Sequence, residues 1–530
     1  MIALYNDFLW GTYMSETTKT SKNLSNNNVL LLTIYNEKAP GVRYLANYLK
    51  KNGFNPTVVF LKGNIYNTKP ISDKELSLFR EIVDKKEYLF IGLSILSSFT
   101  LSEIQKIIDL IRNNYKIPLI IGGAYPTIMH EQCAKKADIV IRGEGELSLL
   151  NLAIAFQQNQ DWTTIPNLCY FNQNGEYIKN EIDTAVQNLD SIGYPLIGGN
   201  NMYFIEGDTV INQDPQLSTD FYELTCSRGC PFNCSYCYSS KFRSLYKGKG
   251  KYLRFRSVDN VFEELNNAIR QNPNIKEIRF WDEVFSTDPD WIENFVDRYK
   301  KEIDLPFHIW GHPLVIKEDI LKLLADAGLQ RIVVGFQSGS PNVRNNIYRR
   351  RETNEQIIKA SKIISYYKIP EVYYDLMICH PLENLNEIKE TFELCLQLEP
   401  PFRLNIHGLG FLPGTDIVDM AIEKGIYTRE ELNDMFLADE KSQLKFFYGI
   451  NRGYYGEEDK KAVWADLIYL TQFHNLRSEI LRLSKYAVKN KEKIKELKTK
   501  IESLPFEEQD KYVIKKGLLQ VFKKLLNLKQ

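Results

Sequence analysis

The chain has 530 residues, too many for one ordinary domain, so about two to four are expected. Lys+Arg and Asp+Glu both number 67; zero net charge argues against general nucleic-acid or membrane-surface binding. No apolar run reaches membrane-spanning length, no leader-like start is visible, and the eight cysteines do not form a secreted disulfide pattern, so a reducing cytoplasm is the expected setting.

Residues 1–28 read as a loose polar arm. From residue 29 to 157 apolar runs alternate with amphipathic ones. Strands are expected at Val29–Tyr35, Thr57–Leu61, Tyr88–Leu93, Leu119–Ile121 and Asp138–Ile141. Helices lie between them: Val42–Lys51 closed by Gly53, one started by the capping box Ser72/Glu75, and one capped by Thr100 and Glu103. Five apolar strands alternating with helices imply an α/β, doubly wound, Rossmann-like parallel sheet, which binds ligands outside the carboxyl ends of its strands. Those ends carry Asn36-Glu37-Lys38-Ala39-Pro40-Gly41, Ser94-Ile95-Leu96, Gly122-Gly123-Ala124-Tyr125-Pro126 and Arg142-Gly143-Glu144-Gly145-Glu146. Taken singly, each is ordinary turn chemistry.

Periodicity breaks over 158–220, a connector with a hairpin of Leu168–Phe171 and Glu176–Lys179 around Asn174-Gly175. A strand at Phe221–Thr225 then leads into Cys226-Ser227-Arg228-Gly229-Cys230-Pro231-Phe232-Asn233-Cys234-Ser235-Tyr236-Cys237. Cys230, Cys234 and Cys237 have the spacing C-x3-C-x2-C, close enough to converge on one soft metal centre. Three thiolates leave one iron of a four-iron cluster without a protein ligand. The alternatives are a structural zinc site or a crowd of thiols. Zinc usually takes a second nearby ligand pair, yet no Cys or His lies between Cys237 and His308. Cys226 reads as a strand-end core thiol. Five more strand–helix units follow to about residue 420, with strands near Glu277–Trp281, Pro306–Trp310, Arg331–Phe336, Glu371–Ile378 and Leu404–Leu409.

C-x3-C-x2-C with an aromatic residue, Tyr236, before the last cysteine resembles the radical S-adenosylmethionine (SAM) enzymes. The resemblance implies a [4Fe-4S] cluster on Cys230, Cys234 and Cys237, with SAM chelating the fourth iron and cleaved to a 5′-deoxyadenosyl radical. It also implies a partial (β/α)6 barrel over 221–420, with functional residues at the C-terminal strand ends. Trp281-Asp282-Glu283 stands where relatives have G-G-E, so Glu283 would accept from the SAM amino group; the alternative is an acidic helix start. Gly335-Phe336-Gln337-Ser338-Gly339 looks like G-x-Q-S-G, with Gln337 and Ser338 bonding SAM. Arg350 and Thr353 match R-x-x-T, and Arg350 would grip the SAM carboxylate. Cys379, where relatives usually have Gly, sits in Cys379-His380-Pro381-Leu382-Glu383. It is read as a substrate contact or hydrogen donor, or as packing under the adenine. Tyr374 and His312 join it as candidate catalytic residues.

The strand ends of the first domain together resemble the cobalamin-binding domain. Ser94-x-Leu96 and Gly122-Gly123 match its motifs, and Tyr125 and Glu144 fall beside them. The D-x-H-x-x-G motif keeps only Gly41; Lys38 stands in the place of the His that would coordinate cobalt. The resemblance therefore implies cobalamin without a His lower ligand, or a domain that has lost its cofactor.

Residues 421–530 read as a helical domain, with amphipathic helices at Val463–Leu483 and Tyr512–Leu528 around a charged Lys489–Lys500. The resemblance implies a methyltransferase that moves a methyl group from methylcobalamin to an unactivated carbon of a small-molecule or peptide substrate. A flavodoxin- or ferredoxin-type donor would feed it electrons, and a monomer is expected. A ring-forming or ring-contracting enzyme without methyl transfer and a non-catalytic corrinoid sensor are the alternatives.

Overall fold

The computed structural model describes residues 26–63, 69–286, 288–439, 442–443, 460–505, 508–509 and 513. Most of the expected arm at 1–28, and nearly all of the expected helix Tyr512–Leu528, lie outside the described residues.

The first apolar runs form β1 (Asn28–Ile34), β2 (Asn55–Leu61), β3 (Ile91–Ser94), β4 (Leu119–Gly122) and β5 (Ile139–Ile141). Val29, Leu30, Val58, Val59, Leu119 and Ile139 are fully buried, as strands with helices on both faces require. Ser72 and Glu75 make the expected capping box at the start of helix Asp73–Val83. Thr100 makes no side-chain cap; Glu103 instead accepts from the backbone of Ile71.

The connector is not a free linker. Its strands β6 (Leu168–Phe171), β7 (Tyr177–Lys179), β8 (Met202–Glu206) and β9 (Thr209–Ile211) complete a nine-stranded sheet in the order β7-β6-β5-β4-β3-β1-β2-β8-β9. The β6–β7 hairpin pairs antiparallel to β5, while β8 pairs parallel to β2 and turns into β9. These edge strands are three to five residues long, too short to leave a periodic signature.

The second sheet contains β10 (Phe221–Leu224), β13 (Glu277–Phe280), β14 (Phe307–Gly311), β15 (Leu329–Gln337), β16 (Glu371–Met377) and β17 (Arg403–His407). All are parallel and adjacent in sequence order, the open six-stranded arrangement of a partial barrel. A two-stranded ribbon of β11 (Ser227–Arg228) and β12 (Arg254–Phe255) flanks its entrance. Helices Val258–Gln271, Pro289–Glu302, Glu318–Asp326, Asn354–Tyr366 and Leu385–Cys395 connect the strands. Between sheet and helices Phe262, Phe280, Phe295, Tyr299 and Phe307 form one buried aromatic cluster. Each such side chain contributes about 1.5–3 kcal/mol relative to exposure.

Burial alternates along β16: Val372, Tyr374 and Leu376 face the helix-covered core, whereas Glu371, Tyr373, Asp375 and Met377 are only partly buried. Tyr374 is therefore not a catalytic residue. Its ring packs between Phe336 and Phe402, and its hydroxyl finds no partner among the described residues. The expected helix Val463–Leu483 is two helices, Lys460–Leu470 and Arg477–Ser484, broken where Phe473 turns into the core and Gln472 caps the Leu404 amide. Helix Lys460–Leu470 is buried against Leu385–Cys395 and Lys491–Glu502, so it extends the barrel core. Among the described residues, no helix is long and apolar enough to cross a membrane.

Candidate active site

The loop after β1 is held from within. Asn36 accepts from the Ala39 amide, and Ala39 takes a left-handed φ of 36° at the start of helix Pro40–Lys51. Arg43, fully buried, donates to the Glu37 and Lys38 carbonyls and forms a two-pronged pair with Asp214 at 2.6 and 2.7 Å. Arg43 and Asp214 are 171 residues apart, and sequence reading missed both. Lys38 points towards β10. Its ammonium finds no hydrogen-bond acceptor among the described residues; it lies 4.4 Å from the Phe221 ring centre and 3.8 Å from Glu37. Desolvation, opposed by Glu223 and Glu37, lowers its pKa.

The neighbouring strand ends have room for a flat ligand. Leu96 is 51% exposed, and among the described residues nothing lies within 4 Å of a β-carbon built on Gly41. Gly123 has φ +114°, and a β-carbon there would stand 2.5 Å from the Ile95 carbonyl, so only glycine lets β3 and β4 end this close. Ser94 is partly buried beside Gly122, its β-strand partner. An apolar side chain left in the open above a bare backbone turn fits a corrin macrocycle.

Two residues singled out here do other work. Tyr125 is buried in the sheet's own core, and burial pushes its phenol pKa up. Glu144 accepts from both Arg254 guanidinium nitrogens at 2.7 and 3.1 Å, and this salt bridge, not a ligand, occupies its carboxylate.

At the barrel entrance the cysteine loop is anchored by Asp282. Its carboxylate accepts from the Cys226 amide at 3.0 Å and from the Ser227 hydroxyl; desolvation pushes its pKa up to about 6. Cys226 is wholly buried. Cys230, Cys234 and Cys237 are partly buried free thiols. Burial, the Glu283 carboxylate and the neighbouring thiols push Cys230 up to about 11 and Cys237 up to about 12. Thiols bind metal as thiolates, so metal uptake here releases protons. No three His, Cys, Asp or Glu side chains among the described residues converge tightly enough for a single metal ion. Three free thiols on one loop are the donor chemistry that a soft iron–sulfur centre takes.

Around the thiols the landmarks fall into two groups. Glu283 is exposed within a crowded recess, and desolvation there raises its carboxyl above the ordinary range. Trp281, 49% exposed, stacks on Trp310 with ring centres 4.1 Å apart beside it. Gln337, at φ 66°, lies partly exposed at a bulge between β15 and β16. These side chains are accessible.

The others are tied. Arg350 is buried. It donates to Glu352 at 2.6 Å, to the Gly335 carbonyl at 2.6 Å and to the Tyr236 hydroxyl at 3.2 Å, and approaches Cys234 Sγ at 3.9 Å. Desolvation disfavours its charge, but Tyr236, Glu352 and Cys234 outweigh it. Arg350 is thus a brace between β15 and the cysteine loop. Ser338 is fully buried, accepting from the Ser340 amide with Thr391 at 3.3 Å, and does not face a ligand. His312 is also buried. Its Nδ1 accepts from the Leu314 amide, its Nε2 lies 3.4 Å from Glu352, and its ring stacks on Phe232 of the cysteine loop at 3.7 Å. Desolvation and Arg350 push its pKa down to about 2, so it is a neutral support for the loop. Cys379, at φ 60°, directs its thiol to the Lys461 carbonyl of the C-terminal region at 3.5 Å, so packing describes it better than catalysis. His380 is buried with its ring near Tyr348, and its pKa is pushed down to about 3.

One open strand-end site suited to a corrin and one three-thiol loop at a partial barrel define a two-cofactor protein. Residues 29–153 match the B12 binding domain and residues 224–395 the radical SAM superfamily, so the chain belongs to the cobalamin-binding radical SAM enzymes. Their cofactors are cobalamin in the first domain and SAM with a [4Fe-4S] cluster in the second. An uncharacterized methyltransferase of Pyrococcus horikoshii is 26% identical over 385 residues, 71% of this chain and 78% of that protein. The anaerobic magnesium-protoporphyrin IX monomethyl ester cyclase of Rubrivivax gelatinosus is 22% identical over 375 residues, 68% of this chain and 62% of the cyclase. The radical S-adenosylmethionine methyltransferase TsrM of Kitasatospora setae, solved with cobalamin and a [4Fe-4S] cluster, shares the fold with a TM-score of 0.61. It is 17% identical over 76% of this chain and 79% of that one. The cobalamin-dependent S-adenosylmethionine radical enzyme OxsB, solved with aqua-cobalamin and SAM, gives a TM-score of 0.62 at 17% identity, over 90% of this chain and 72% of that one.

Proposed function

We propose that the protein is a C-methyltransferase that moves a methyl group from methylcobalamin to an unactivated carbon of a small-molecule or peptide substrate. The observation that carries the reading is that the ligand-binding edge of the first sheet meets the barrel. Lys38 lies over Phe221, Ile128 packs on Gly414, and Gly143 abuts Tyr246. A substrate in the gap would touch both cofactors.

When bound, the cluster supplies the electron that cleaves SAM to a 5′-deoxyadenosyl radical, and the corrin carries the methyl group. Cys230, Cys234 and Cys237 hold the cluster, and Glu283 accepts from the SAM amine. Gln337 would hydrogen-bond SAM, while Tyr236 and Arg350 brace the loop beside Cys234. Leu96, Gly41, Ser94, Gly122 and Gly123 form the corrin floor, with Lys38 at its edge in place of a His ligand. His312, through its stack on Phe232, and Asp282, through the Cys226 amide and the Ser227 hydroxyl, keep the cysteine loop in place. The exposed Trp281–Trp310 stack forms the substrate-side wall. A low-potential flavodoxin or ferredoxin, a monomeric state and a cytoplasmic setting complete the reading.

The cyclase relative favours a second reading, ring formation without methyl transfer. Anaerobically reconstituted protein given methyl-labelled SAM, cobalamin and reductant decides between them. Methyl transfer predicts both 5′-deoxyadenosine and S-adenosylhomocysteine; 5′-deoxyadenosine alone supports cyclisation.

A further inference from the structure

The ribbon that opens the cysteine loop sets Arg228 of β11 directly opposite Arg254 of β12. Like charges facing across a ribbon repel and destabilise it. The compensating carboxylates come from the other domain. Glu144 and Glu146 follow β5, at the edge of the corrin site. Arg254 grips Glu144 through both terminal nitrogens, at 2.7 and 3.1 Å. Arg228 donates to Glu146 at 2.6 Å and lies 3.6 Å from Glu144, with its guanidinium 5.0 Å from the centre of the Tyr44 ring.

Glu144 is itself fixed at every polar atom. Its amide donates to the Tyr246 hydroxyl at 2.7 Å, its carbonyl accepts from Asn167 at 3.1 Å, and its second carboxylate oxygen accepts from the Val186 amide at 2.9 Å. Gly143, at φ +72°, lets Tyr246 approach where any β-carbon would collide with the hydroxyl. Glu146 and Arg254 are buried, so this lattice is screened far less than a surface pair, and its forked hydrogen bonds set direction as well as distance. Arg228 stands two residues before Cys230. One rigid lattice therefore runs from the edge of the corrin site to the first cluster thiol.

We propose that Glu144 and Glu146, acting through Arg254 and Arg228, are positioning residues that set the separation between cluster-bound SAM and cobalamin. The proposal rests on the functional reading above. The step it governs is transfer of the SAM methyl to cobalt. The sulfur–methyl bond breaks with its electron pair left on sulfur, giving S-adenosylhomocysteine. The cobalt–carbon bond forms with the electron pair of cob(I)alamin. Reductive cleavage of SAM takes one electron from the cluster and gives methionine and the 5′-deoxyadenosyl radical; without substrate, a second electron from the titanium(III) reductant and a proton from water complete 5′-deoxyadenosine, and no part of this crosses the domain boundary.

The test needs no substrate. Holoenzyme reduced with titanium(III) citrate is given SAM, and both products are timed for the wild type, Glu144→Gln and Glu146→Gln, with iron and corrinoid contents measured alongside. The S-adenosylhomocysteine rate should fall about tenfold or more while the 5′-deoxyadenosine rate stays within about twofold, since displacements near 1 Å are costly only for the step that spans the gap. Hydrogen exchange of residues 227–232 in cofactor-free protein should quicken in both variants. Parallel loss of both products, no change in either, or unchanged exchange would overturn the proposal. If the wild type forms neither product, the functional reading fails, and the exchange measurement still tests the lattice.

Discussion

The cluster side and the corrin side of the molecule are built on opposite plans. Around the cysteine loop, polar side chains are tied to neighbouring groups: Arg350 to Glu352, Gly335 and Tyr236, Asp282 to Cys226 and Ser227, His312 to Phe232 and Leu314. Around the corrin edge, side chains are withheld: among the described residues Leu96 is exposed, Gly41 faces open space, and Lys38 has no hydrogen-bond acceptor. The first plan holds a reactive centre at a fixed geometry with buried charge. The second leaves a surface to be covered by a large ligand. Substitutions should therefore cost folding and cluster content on one side, and corrinoid affinity on the other.

The largest break should come from Arg350→Ala. It strands Glu352 as a buried carboxylate, and a loss of about 3–5 kcal/mol is expected in urea unfolding of the apo protein, with iron uptake falling in step. Gly123→Ala should follow, at about 1–3 kcal/mol, because the left-handed φ and the Ile95 carbonyl both oppose a side chain. Its retained corrinoid should fall while its iron content does not, which would separate the two sides cleanly.

A smaller effect depends on pH. Desolvation pushes the buried Glu383 carboxyl up to about 8, while its Oε2 accepts from the Cys379 amide. A carboxyl whose folded pKa is raised holds its proton longer folded than unfolded. Its contribution to stability should thus be full below about pH 4.5, decline towards pH 8 by at most about 1.4 kcal/mol per unit, and then level off. In Glu383→Gln the unfolding midpoint should fall less over that window. Leu96→Ser should be smallest in stability, within about 0.5 kcal/mol, because the side chain is already exposed. Corrinoid titration should nonetheless show weakened binding; unchanged binding would place the macrocycle elsewhere.

Much of this contrast was legible in the chain. Strands buried on both faces read as continuous apolar runs, so the parallel strands of the first sheet stand out; those of the barrel show as alternating runs between helices, and three cysteines in eight residues mark a soft-metal loop without further help. What escaped was contact between distant residues. Nothing near Glu144 announces Arg254, 110 residues on, so a salt bridge was read as a ligand contact. The local sequence around Tyr374 likewise does not say which face of an alternating barrel strand turns to the helices and which to the lumen. The break after Leu470 was hidden because Thr471-Gln472-Phe473 keeps the apolar spacing while the chain turns.

The central claim is that Cys230, Cys234 and Cys237 hold a four-iron cluster whose open corner binds SAM. The most direct measurement is 5′-deoxyadenosine formed from SAM by anaerobically reconstituted, reduced protein, set beside iron and sulfide content for the wild type and Cys234→Ala. About four irons per chain and steady nucleoside formation are expected in the wild type, with both lost in the variant. Zinc bound in place of iron and sulfide, or SAM left intact by the reduced wild type, would contradict it.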